Sequence, residues 1–96
     1  MKQITIYCSE DLDPKVDQIL HRNGIQEFFT ISGMYATRLK EKDSFERDQA
    51  WPANAIIVYP DKTQFAGLLA DLKAYAEQCV GERCLRIVTS PAEKIC

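Results

Sequence analysis

The residues of this sequence most able to do chemistry are its cysteines, its single histidine and a scatter of arginines and lysines. Cys79 and Cys84 flank the turn Val80-Gly81-Glu82-Arg83, close enough for a disulfide or for shared metal ligation. Structural zinc sites favour about two to four residues between cysteines and a second such pair. No second pair exists here. Cys79 also fits the apolar stripe of its helix, so core packing is the favoured reading. Cys8 shares a strand face with Ile4 and Ile6 and points to the core, while Cys96 is terminal and open to modification. Divalent-metal ligation through Cys79, Cys84 or Cys96 stands as the alternative.

His21 lies off the apolar face of its helix, with no cysteine or second histidine near it, and reads as a surface residue. Glu10, Asp11, Asp13 and Asp17 cluster around a helix start, where dipole complementarity accounts for them without a metal. No nucleophile stands beside a base, and no glycine-rich phosphate loop of the Walker or Rossmann kind occurs. The chain therefore reads as a non-enzyme, and an acylphosphatase-type activity is disfavoured. Arg38, Lys40, Arg83, Arg86 and Lys94 fall near strand ends and loops, where an anion could be held, although a solvated surface explains each of them singly.

At 96 residues the sequence makes one domain, 1–96, large enough to bury roughly 60–70% of its unfolded surface. Its net charge of −2 supplies no field to draw in nucleic acid or an anionic membrane. The apolar run Ile4 to Cys8 is too short for a signal peptide, and nothing approaches the ~20 apolar residues of a membrane helix. These features suggest a cytoplasmic protein whose cysteines are thiols.

Positioning these groups are six elements. Residues 2–8 alternate, Ile4, Ile6 and Cys8 against Thr5 and Tyr7, as a strand does. Asp13 and Pro14 have the types expected at a helix N-cap and first turn. Val16, Ile19, Leu20 and Asn23 then share one face of a helix that Gly24 stops. A long strand follows over 24–39, with Ile25, Phe29, Ile31, Tyr35 and Leu39 on one face. Phe28, Thr30, Ser32, Met34, Ala36 and Arg38 line the other, and interior Gly33 suggests a bulge or a close approach. The charged stretch 40–52 reads as a mobile loop anchored only by Phe45 and Trp51. Ala53 to Tyr59 forms the next strand. Asp61 and Gln64 are spaced as a capping box before a second helix striped by Phe65, Leu68, Leu69, Leu72, Ala76 and Cys79. Gly81 ends that helix, and a last strand runs from Cys84 to Thr89.

The order β-α-β-β-α-β is that of the ferredoxin-like α+β fold, a four-stranded antiparallel sheet with both helices on one face. The other face, bearing Thr5, Tyr7, Phe28, Met34 and Ala36, is too apolar for water, and self-association is the simplest remedy.

Several motifs resemble the PII signal-transduction (nitrogen-regulatory) family. Lys15-Val16-Asp17-Gln18-Ile19-Leu20 leading to Asn23-Gly24-Ile25-Gln26 is similar to that family's first helix and the start of its second strand. Ser32-Gly33-Met34-Tyr35-Ala36-Thr37-Arg38-Leu39 resembles its second-strand motif, and Ile56-Ile57-Val58-Tyr59-Pro60-Asp61 the head of its second helix. Gly81-Glu82-Arg83-Cys84-Leu85-Arg86-Ile87 falls where the family has a phosphate-contacting loop and strand, with Arg83 in place of its lysine. The stretch 40–52 is shorter than the family's T-loop. The resemblance implies a homotrimer with clefts between subunits that take an adenine nucleotide or bicarbonate. Gly33, Met34, Arg38, Gly81, Arg83 and Arg86 would hold the ligand. Lys40, Phe45, Arg47 and Trp51 would contact a transporter or metabolic enzyme. CutA-like (divalent-cation tolerance) trimers share the architecture, which gives the cysteine-metal alternative its context.

Overall fold

A computed structural model describes residues 1–40, 47–78 and 85–93. Strand β1 spans Lys2–Ser9, and a 3-10 turn over Glu10–Leu12 leads into helix α1, Asp13–Arg22. Strands β2, Phe29–Leu39, and β3, Arg47–Val58, precede helix α2, Lys62–Gln78, and strand β4, Arg86–Pro91. The sheet order is β2-β3-β1-β4 with every neighbouring pair antiparallel, which is the expected ferredoxin-like arrangement.

Alternation along β1 decides the layering. Ile4, Ile6 and Cys8 point to one side, where Val58 and Ile56 of β3 lie opposite them in register. That side is sealed by Val16, Ile19 and Leu20 of α1 and by Leu68 and Leu72 of α2, all buried in one cluster. Both helices thus cover the same face, and their apolar stripes supply most of the folding drive.

The helix ends follow local chemistry. At the start of α2, the Asp61 carboxylate accepts the Thr63 and Gln64 backbone N–H groups at 2.9 and 3.0 Å. Gln64 Oε1 accepts the Asp61 N–H in return at 3.1 Å, completing the expected capping box. The hydrogen bond from the Thr63 hydroxyl, followed by that from the Gln64 N–H, holds the Asp61 carboxyl below its ordinary pKa. At the end of α1, Gly24 adopts φ +76°. Its N–H reaches the His21 carbonyl and the Ile25 N–H the Leu20 carbonyl, both at 3.1 Å, a Schellman closure that needs a left-handed residue. Asn23 then ties this corner to α2 through a 2.8 Å bond to Asp71.

The start of α1 differs from expectation. Asp13 is its first helical residue rather than its N-cap, a place taken by Leu12. Its carboxylate turns inward instead, accepting the Cys8 thiol at 3.3 Å and the side-chain amide of Asn54. A carboxylate with two buried donors to satisfy serves the core better there than as a cap.

Strand β3 is also longer than its apolar run suggests. Residues 47–52, expected in a mobile loop, pair with β2 from Tyr35 to Leu39. Strand β1 stops opposite Ala53, so among the described residues this part of β3 has β2 as its only strand neighbour and the pair projects as a two-stranded ribbon. Pro52 is tolerated because its side lacking an N–H has no strand to bond.

Candidate functional site

Strand β2 determines which groups share the uncovered sheet face. Thr30 and Ile31 pair with Ile56 and Ala55, but the next pair is Met34 with Ala53, so Ser32 and Gly33 together oppose Asn54. This is the bulge anticipated at Gly33, which adopts φ +80° with open space around the position of a Cβ. The extra residue reverses the alternation. Before the bulge, Phe29 and Ile31 face away from the helices; beyond it, Met34, Ala36 and Arg38 do so.

The assignment of Phe29 and Ile31 to the covered face is therefore corrected. They are 55% and 49% exposed, in line with Ile57 and Ala55 of β3. Tyr35 and Leu39, expected on the covered face, do lie on the helix side of the sheet. They belong to the projecting ribbon, which no helix among the described residues covers, and are 69% and 43% exposed. Phe28 falls just outside the strand.

The open face reads in rows. Ile31, Ala55, Tyr7 and Arg86 form one, and Phe29, Ile57, Thr5 and Val88 the next. Tyr7 and Val88 are 46% and 50% exposed, whereas Thr5, Ala53 and Ala55 are sunk between larger neighbours. The Phe29 ring meets Tyr59 edge-on at 6.4 Å. A contiguous apolar patch of this kind marks an interaction surface. Tyr7, Thr5, Met34 and Ala36 were legible as part of it. Phe29, Ile31, Ile57, Val88 and Trp51 were not, and the glycine-marked bulge was the signal that could have recovered the first two.

The expected ligand residues that are described, Gly33, Met34, Arg38 and Arg86, are spread along the sheet rather than gathered. Arg86 opens β4 beside Tyr7, and Arg38 pairs with Gln49 far along the ribbon. Tyr7 pairs with Ala55, so about six residues of β3, roughly 20 Å at ~3.3 Å per residue, separate the two levels. Gly33 and Met34 lie between them, at the bulge. Gly81 and Arg83 lie outside the described residues, as do Phe45, Lys94 and the cysteines Cys79, Cys84 and Cys96. Of the expected partner-binding loop, Lys40 is exposed just past β2. Arg47 and Trp51 are strand residues instead, because the pairing with Leu39 and Ala36 carries β3 back through them.

Other chemistry is sparse. His21 is exposed on α1, as expected. Among the described residues, no three histidine, cysteine or acidic side chains converge to hold a metal. Burial, followed by the hydrogen bond to Asp13 and the charges of Asp13, Asp17 and Asp11, pushes the Cys8 thiol up to about 12. It is a protonated, unreactive core group. A shallow hollow between Met1, Lys2, Pro60, Asp61, Lys62 and Phe65 lies at the opposite end of the sheet from the ribbon. Lys2 there rests 5.0 Å over the Phe65 ring, and Asp61 already satisfies the first N–H groups of α2. Among the described residues, no helix is long and apolar enough to cross a membrane.

No protein-family model matches the sequence, and no curated protein is significantly similar to it. Solved structures are. The apo form of CPII from Thiomonas intermedia K12, a nitrogen-regulatory PII-like protein, superposes with a TM-score of 0.68 at 11% identity, over 93% of this chain and 85% of that one. CPII bound to ADP, AMP and bicarbonate matches 97% of this chain and 94% of its own, with a TM-score of 0.62 at 14% identity. The B. subtilis GlnK–ATP complex gives 0.70 at 12% identity, over 93% of this chain and 78% of that one. Over nearly its whole length, the chain has the fold of the PII-like nitrogen-regulatory proteins.

Proposed function

We propose that this chain is a cytoplasmic, non-enzymatic PII-like regulatory protein. It assembles as a homotrimer through its open sheet face and binds a small anionic effector, an adenine nucleotide or bicarbonate, in clefts between subunits. Through the ribbon and the segment beyond it, around Lys40, Arg47 and Trp51, it controls a transporter or metabolic enzyme.

The observation that carries this reading is the fold shared with PII-like proteins whose structures hold ADP, AMP, bicarbonate or ATP. Two features of the chain support it. The open face exposes Tyr7, Phe29, Ile31 and Val88, which a single copy leaves in water. Arg38 and Arg86 are far apart within one chain, so a site using both needs more than one copy. Arg83 is assigned to the ligand on the resemblance of the Gly81 turn.

Light scattering at micromolar concentration tests the assembly. The proposal expects the mass of three chains, and a monomer would overturn it.

A further inference from the structure

Three polar side chains meet where α1 starts, on the covered side of the sheet. The Cys8 thiol lies 3.3 Å from Asp13 Oδ1, and the Asn54 side-chain amide donates to Asp13 Oδ2. Cys8 and Asn54 are register partners across β1 and β3, so the sheet fixes their spacing, and the first turn of α1 fixes Asp13. Asn54 is 5% exposed, yet its Oδ1 has no hydrogen-bond partner. A buried acceptor without a donor is costly, and beside this one stand a carboxylate and a sulfur. The charges of Asp17 and Asp11 act on Cys8 together with that of Asp13. A pocket of acceptors in a negative field is suited to a cation.

We propose that Cys8, Asp13 and Asn54 form a binding site for one divalent metal ion of the zinc and cadmium class. The ion bonds the Cys8 sulfur, an Asp13 oxygen and Asn54 Oδ1. Metal–sulfur and metal–oxygen bonds of about 2.3 and 2.0 Å at a tetrahedral angle set those two atoms about 3.5 Å apart, close to the 3.3 Å between Cys8 and Asp13. A sulfur ligand selects against magnesium and calcium, which take oxygen. The third ligand is an amide oxygen, so the site needs no third cysteine, histidine or carboxylate. As the sulfur–metal bond forms, the thiol proton leaves to water, and Asn54 Oδ1 gains the partner it lacks. Asp13 is half-buried, so the ion enters from that side and water completes its shell. Asn54 also opposes the Ser32–Gly33 bulge at the root of the ribbon, and the bound ion braces that root against α1. The site is independent of the proposed anion clefts and of Cys79, Cys84 and Cys96.

The test uses the full chain with Cys79→Ser, Cys84→Ser and Cys96→Ser combined, which leaves Cys8 as its only thiol. Cadmium and zinc are titrated into it against a competing chelator, and the ultraviolet thiolate-to-cadmium charge-transfer band is recorded. One ion should bind per chain, with the band present and the thermal midpoint raised on loading. Adding Cys8→Ser should abolish the band and weaken binding by about a hundredfold. Asn54→Asp, which turns the third ligand into a carboxylate, should instead bind at least about tenfold more tightly, a gain that a folding defect cannot imitate. A folded triple-serine chain that binds no ion or gives no band would overturn the proposal. So would binding that Cys8→Ser leaves unchanged or that Asn54→Asp fails to strengthen. Should the triple-serine chain not fold, wild type and Cys8→Ser are compared directly: one ion fewer per chain in the variant supports the site, and equal stoichiometry overturns it.

Discussion

Substituting Gly33 tests the feature that decides which side chains reach the open face. Gly33 holds φ +80°, and a Cβ built there would meet no atom within 4 Å. The cost of a side chain is therefore backbone strain rather than collision. A left-handed conformation costs an L-residue roughly 1–2 kcal/mol, and the stiffer unfolded chain returns about 0.4–1 kcal/mol. Gly33→Ala should then destabilise by about 1 kcal/mol, and β-branched Gly33→Val by about 2 kcal/mol. Gly33→Asn should cost less than either, because asparagine tolerates this region. In urea, at fixed protein concentration, the alanine variant should move the midpoint down by about 0.5–1 M with an unchanged slope. Deleting Gly33 should do far more. It restores simple alternation and drives either Phe29 and Ile31 or Met34, Ala36 and Arg38 to the wrong side of the sheet. A neutral or stabilising Gly33→Ala, with the deletion tolerated, would show that β2 carries no bulge and that the face assignment fails.

Two further outcomes follow from the same geometry. Met34→Asp places a charge on the open face and should dissociate the assembly, since a few hundred Å² of apolar contact per subunit is worth several kcal/mol at ~25 cal/mol per Å²; an unchanged mass by light scattering would refute the interface. The Cys8 thiol, pushed up to about 12, favours the folded state while it stays protonated. Its contribution is complete below the ordinary thiol range of about 8.5 and fades as pH rises from there through 12. Cys8→Ala should lose stability at neutral pH through its cavity but show a shallower alkaline decline, and equal alkaline slopes in the two proteins would refute the buried, carboxylate-facing placement.

Much of this architecture was legible in the residues. The stripe of α2 and the reciprocal pair Asp61 and Gln64 gave one helix with its start, and Asn23-Gly24 gave the end of the other. Ile4, Ile6 and Cys8 set the covered face of β1 correctly. What escaped came from two physical causes. Alternation is a parity argument, and the single extra residue at Gly33 inverts parity for everything on one side of it. A bulge foreseen without its consequence left Phe29 and Ile31 on the wrong side. The ribbon was missed because charge and proline between 40 and 52 outweighed strand propensity, whereas pairing to β2 alone tolerates both. The ligand residues of the proposal rest on resemblance alone, since arginines at strand ends have no local pattern that separates a site from a solvated surface.

Regulation of the proposed kind requires that the assembled chain bind a small anion. Calorimetric titration of wild type and Arg83→Ala with ATP, ADP, AMP and bicarbonate, then with copper, zinc and nickel, tests it most directly. A charge-assisted contact is worth about 1.5–3 kcal/mol, so wild type should show saturable anion binding that weakens roughly ten- to a hundredfold in Arg83→Ala. No anion binding, together with tight metal binding abolished by Cys79→Ser or Cys84→Ser, would contradict it.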